Sequence, residues 1–153
     1  SKNRVIDYIS IISKTIYPLL RDSSDAFKSL HCSVCNGKVN IAKPLLLLAM
    51  LDLMDYSTQD NRIDISNIIK KYTELQKQYE STTPYQYPIY FLENEESFHL
   101  KWRNTRIKTH TPSAKLIREN VEYAYFDNAL WDLLQDKQMR ECFKTVITSN
   151  FLK

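Results

Sequence analysis

Cationic side chains are concentrated in one stretch of the chain. From Ser97 to Arg118 the sequence has no Asp or Glu, yet it carries Lys101, Arg103, Arg106, Lys108, Lys115 and Arg118, with His99 and His110 among them. Tyr90, Phe91, Phe98 and Trp102 lie beside these cations, and the next stretch, Glu119 to Asp136, holds five acids and no Lys or Arg. A basic strip next to an acidic one makes a polarised surface. Such a strip attracts backbone phosphates by Coulomb force and counterion release. The plainer alternative is a solvated basic loop balanced by its acidic neighbour.

Other chemistry-bearing residues form less complete sets. His31, Cys32 and Cys35 make an HCxxC cluster that suits half of a zinc site, but Cys142, His99 and His110 are all distant in sequence. Local packing is the competing reading of that cluster. A magnesium-dependent nuclease needs an acid followed by an acid-x-Lys pair, and Asp136-Lys137 lacks that spacing. The three His residues do not cluster with Asn as an HNH centre requires. Asp52 and Asp55 read as the polar edge of a helix, and Cys142, near Val146, as a packed thiol. No catalytic set, cofactor or metal is expected.

Composition sets the frame for these residues. The chain has 153 residues, 43% hydrophobic and 25% charged, with net charge +3. This predicts one domain over residues 1–153 with a buried core. The single Gly, Gly37, excludes glycine-rich phosphate loops. Three Cys without a signal peptide predict a reducing, cytoplasmic setting. Ser1 in place of Met reads as a domain cut from a longer chain. The longest apolar run, Pro44 to Leu51, is far short of the ~20 residues a membrane span needs.

The elements that must position the strip follow from periodicity. Val5, Ile6, Ile9, Ile12, Ile16, Leu19 and Leu20 predict an amphipathic helix over 3–20, and residues 22–40 a short turn around Phe27 and a loop. Pro44 opens a buried helix from Lys43 to about Tyr56, and STQDNR is a turn. Asp64 caps a helix whose stripe is Ile65, Ile68, Ile69, Tyr72 and Leu75. Two prolines break residues 81–88. YPIYFL, the polar loop ENEES and FHLKW then predict a β-hairpin. Thr111 is expected to cap a helix from Pro112 with Leu116, Ile117 and Val121 inward. Asp127 is expected to cap a short helix (NALWDLLQD), and Asp136 precedes a last one (KQMRECFKTVITSNF). The fold class is α+β, mainly α: a winged-helix-like helix-turn-helix with one short β-hairpin as the wing.

Three segments carry a family likeness: IAKPLLLLAMLDLMD (41–55), YPIYFL with FHLKW (87–92 and 98–102), and TPSAKLIRENVEYAYFDNALWDLLQD (111–136). Over residues 40–152 the chain resembles the DNA sulfur-binding domain of phosphorothioate-dependent HNH restriction endonucleases. The resemblance implies recognition of duplex DNA in which sulfur replaces a non-bridging phosphate oxygen, with cutting done by a separate HNH domain, in bacterial defence. It implies a sulfur pocket of Lys43, Leu48, Tyr87, Pro88 and Phe91. Ala42 stands where the family commonly has His or another polar or aromatic residue, and Phe91 is bulkier than the usual small residue.

Sulfur is larger and less strongly hydrated than oxygen. An apolar pocket therefore receives it at small desolvation cost, whereas an ordinary phosphate oxygen there loses water without compensation. Lys101, Arg103, Arg106, Lys108, His110, Lys115 and Arg118 would supply backbone contacts, which position the duplex without reading sequence. Two alternatives come from other classes. One is a winged-helix regulator of unmodified DNA, reading bases with Asn67, Lys70, Lys71 and Gln78. The other is a divergent metal-dependent nuclease using His31, Cys32 and Cys35.

Overall fold

The computed structural model describes residues 34, 35, 38–56 and 60–152. The expected helix over 3–20, the turn around Phe27, and His31 and Cys32 lie outside the described residues. Strands β1 (Val34–Cys35) and β2 (Lys38–Val39) pair antiparallel. The residues between them are Asn36 and Gly37, a strong dipeptide signal for a two-residue hairpin connection. The end of the expected loop is thus a hairpin.

Helix α1 (Ala42–Met54) is the centre of the core. Its run of Leu, Ala and Met has no polar face, so every side of it must be covered. Leu45, Leu46, Leu47, Ala49, Met50 and Leu51 are indeed fully buried. Pro44 occupies its first turn, and the Asn40 Oδ1 accepts the Ala42 N–H at 2.8 Å.

A two-residue strand β3 (Ile63–Asp64) leads into α2 (Ile65–Gln78), where the Asp64 side chain accepts the Ser66 N–H as expected. The stripe Ile65, Ile68, Tyr72 and Leu75 is buried against α1. The helix ends with Glu80 at φ 55°, the Ser81 N–H on Gln76 O (3.0 Å) and the Glu80 N–H on Lys77 O (3.4 Å). That is a left-handed cap of the kind usually built on Gly.

The predicted wing does not form. Residues Gln86–Tyr90 make a short helix α3 and Phe91–Asn94 a 3-10 turn. Pro88 cannot donate to a ladder but suits a first helical turn, and the consecutive residues Pro88, Ile89 and Tyr90 are all buried, which the alternating faces of a one-sided hairpin strand would not allow. FHLKW is a strand, β4 (Phe98–Trp102), but its partner is β5 (Val121–Phe126).

The VEYAYF segment was expected to begin inside a helix. Instead α4 (Ala114–Asn120) stops one residue before it, and the cap is Ser113, not Thr111, accepting the Leu116 N–H at 3.0 Å. The β-branched and aromatic content of VEYAYF favours a strand, which supplies the centre of a three-stranded antiparallel sheet of order β3-β5-β4. Helices α5 (Asn128–Leu133) and α6 (Lys137–Phe151) follow; Asp136 caps α6 through the N–H groups of Gln138 and Met139, whereas Asp127 stands before α5 without a side-chain cap bond, its carboxylate turned to His99. The protein is α+β and mainly helical, with the winged-helix arrangement replaced by helices packed on one face of this sheet.

Candidate nucleic-acid interface

Residues 103–113, the heart of the basic strip, have no helix or strand of their own. Their course is set by side chains from the segment that precedes them. The buried Tyr90 hydroxyl donates to Ile107 O at 2.9 Å and accepts the Thr109 N–H at 2.9 Å. The Arg106 guanidinium lies 4.7 Å from the Tyr90 ring centroid, and its Nε donates to Glu93 Oε1 at 3.1 Å. The same carboxylate oxygen accepts the Trp102 indole N–H at 2.8 Å. Tyr90 and Glu93 thereby lash the basic loop to α3 and the 3-10 turn.

The seven expected backbone-binding residues fall into two groups. Arg106 is engaged by Glu93 and Tyr90, so it holds the loop in place. Arg103 has only a 3.8 Å approach to Glu122, both about half exposed, an ion pair of small worth in water. Arg118 donates to the neutral Tyr85 hydroxyl at 2.9 Å and keeps its charge unanswered. Lys101, Lys108, Lys115 and His110 are exposed and have no partner among the described residues. Since α4 packs beside α3, its Lys115 and Arg118 join the same side as the loop.

The expected sulfur pocket is brought together in part. Helices α1 and α3 do pack on each other, which joins its two sequence segments. Pro88 is buried, Phe91 half-buried with its ring edge-on to Tyr90 at 5.0 Å, and Tyr87 is 39% exposed. Leu48 is a core residue at 6% exposure. At 3.6 residues per turn, Lys43 and Leu48 point about 140° apart around α1.

Lys43 was expected to hold a positive charge at a rim. It is instead buried and ion-paired with the buried Glu95, Nζ to Oε1 3.0 Å. A cation in the first turn of a helix is opposed by the helix dipole, so Glu95 is the group that makes Lys43 tolerable there. The outward part of the proposed pocket is therefore Tyr87 and Phe91, one helical turn apart.

Tyr85, Tyr90, Glu93, Glu95 and Trp102 organise this region and were missed as organisers. The signal was present in part: the acids of ENEES abut a strip that has none, and one of them, Glu93, supplies the counter-charge of Arg106.

A second charged cluster lies between α1 and α6. Lys144 pairs with Asp52 (3.0 Å), Asp55 and Glu141 (3.3 Å), and Arg140 Nε with Asp55 Oδ1 (2.9 Å). Burial alone would raise the Asp55 carboxyl, but hydrogen bonds from Lys144 and Arg140 outweigh it and hold it below the ordinary carboxylate value. Asp52 and Asp55 do mark a polar edge of α1, and this edge faces α6. Cys142 is exposed on α6, not packed as expected.

Among the described residues no group of three or more His, Cys, Asp or Glu could hold a metal ion. No helix among them is long and apolar enough to cross a membrane. Compared with known proteins, the chain matches no protein-family model and no curated sequence.

Proposed function

We propose that this protein is a non-catalytic module that binds duplex DNA and prefers a backbone carrying phosphorothioate sulfur. The observation that carries this reading is the lashing of the basic loop to α3 by Tyr90 and Glu93. It ties the segment that carries Tyr87, Pro88 and Phe91 to the loop that carries Lys108 and His110, and the Arg118 bond to Tyr85 ties α4 to that same segment. In this reading Lys101, Arg103, Lys108, His110, Lys115 and Arg118 meet phosphates and position the duplex. The ring edges of Tyr87 and Phe91, backed by Pro88, receive the weakly hydrated sulfur, while an oxygen in the same place would forfeit its water. Lys43 and Leu48 act from behind, fixing α1 under α3. Arg106 shapes the loop.

The module works in the cytoplasm beside an HNH nuclease domain or subunit of a restriction system, and needs no cofactor for recognition. A winged-helix reading loses its wing with the hairpin of residues 87–102.

The test is the affinity for one duplex prepared with and without a single backbone sulfur, at fixed salt. The sulfur-bearing duplex should bind more tightly. Tyr87→Ala should remove that preference, and Lys108→Ala should weaken both duplexes alike. Equal affinity of the wild-type protein for both duplexes refutes the sulfur preference.

A further inference from the structure

The sheet buries one face and presents the other. Along β4, Phe98, Leu100 and Trp102 turn to the core, leaving His99 and Lys101 outward; along β5, Ala124 and Phe126 turn inward, leaving Tyr123 and Tyr125 outward. The register sets His99 opposite Tyr125 and Lys101 opposite Tyr123. The result is a row of rings: His99 to Tyr125 is 5.0 Å between centroids at 33°, and Tyr125 to Tyr123 is 5.9 Å. Among the described residues neither tyrosine is part of the hydrophobic core, and both are partly exposed. The Arg62 guanidinium closes one end of the row, 5.5 Å from the Tyr123 centroid.

Charge decides what such a row would hold. Asp127 is paired with His99 and Glu122 with Arg103, while Asp64, opposite Tyr123, is bonded to the uncharged start of α2 and keeps its negative charge. Arg62 and Lys101 have no carboxylate partner among the described residues, so two open cations flank the rings, with Asp64 at the β3 edge as an opposing charge. Flat rings with open cations at their margin match a chain of unpaired bases linked by phosphates, since every base has a face to stack and every linkage a negative charge. The strand β4 also leads directly into the basic loop at Arg103.

We propose that the outward face of the β3-β5-β4 sheet binds single-stranded nucleic acid, bases stacking on Tyr125, Tyr123 and His99 and phosphates meeting Arg62 and Lys101. This site shares Lys101 with the duplex reading but none of Tyr87, Pro88 or Phe91, so the ring variants at Tyr123 and Tyr125 test it apart from the sulfur reading.

Fluorescence anisotropy of the full chain with labelled oligothymidylate, oligouridylate and a duplex of equal length tests it. At least one single strand should bind, and Tyr123→Ala or Tyr125→Ala should weaken that binding roughly tenfold or more. Tyr→Phe at either position should retain it, and duplex binding should not respond to these ring changes. Binding of only one of the two single strands, dependent on the rings, supports the site and assigns its sugar. Lys101→Glu, at an exposed position, should also weaken single-strand binding without altering thermal melting. If neither strand binds, or if Lys101→Glu weakens binding while correctly folded alanine variants bind as wild type, the stacking site is overturned.

Discussion

At the junction of α1 and α6, charges answer one another; along residues 103–113 and α4, they face water. Lys144 meets Asp52, Asp55 and Glu141, and Arg140 meets Asp55 and the Leu134 carbonyl at 2.7 Å. Each of these side chains apart from Glu141 is largely shielded, so its charge is used up in joining two helices. In the basic loop Arg106 is held by Glu93 and shapes the backbone, while Arg103 has the longer, exposed approach to Glu122. Their neighbours Lys108, His110, Lys115 and Arg118 are exposed and have no carboxylate partner among the described residues. The same residue types thus serve cohesion where acids are interleaved and, in the proposed reading, recognition where acids are withheld.

Breaking the answered cluster should have the largest effect. Lys144→Ala leaves Asp52 and Asp55 without their shared cation, and a loss of about 3 kcal/mol is expected in urea unfolding, with duplex affinity unchanged. Acid should do the same by titration. The folded-state carboxyl of Asp55 is lowered, so its contribution is present above the ordinary carboxylate range near pH ~4. It is lost as pH falls through the lowered value, because the unfolded chain takes up the proton first. Wild type should therefore lose more stability than Asp55→Asn on going from pH ~5 to pH ~2.

A smaller effect comes from an uncharged tie. The Tyr72 hydroxyl donates to Thr83 O at 2.7 Å, and burial, eased slightly by a hydrogen bond with Ser81, pushes it up to about 12. The unfolded tyrosine ionises near pH ~10. Stability should hold below that and fall as pH rises toward 12, by about 2 kcal/mol in all. Tyr72→Phe should flatten this alkaline limb in chemical-denaturation series.

Next in size is the tie that bridges the two regions' logic. Tyr90→Phe removes the hydroxyl that holds Ile107 and Thr109, at a cost of about 1 kcal/mol in thermal or urea unfolding. Unlike Lys144→Ala, it should also weaken binding of modified and unmodified duplexes, because the loop loses its anchor. Smallest in stability is Lys108→Ala. It should change unfolding by less than about 0.5 kcal/mol while lowering the slope of log affinity against log salt by about 1.

The helices were legible where one face repeats. The stripe Ile65, Ile68, Tyr72, Leu75 with its Asp64 cap, and α6 after Asp136, stand where periodicity and capping chemistry put them. The wing was misjudged because YPIYFL is rich in β-formers, yet burial of the consecutive residues Pro88, Ile89 and Tyr90 outweighed that propensity. VEYAYF was misjudged the other way, its strand being set by partners far off in sequence. For the candidate interface, the strip itself was legible as a run without acids. Which cations stay open was not, since that depends on Glu93 and Glu95 reaching across the fold to Arg106 and Lys43.

Amide chemical-shift mapping during titration with the sulfur-bearing duplex tests the account most directly. Perturbations are expected at residues 85–91 and 103–118, and not at 52–55 or 140–144. Shifts centred on α2, or on the α1–α6 junction, would contradict it.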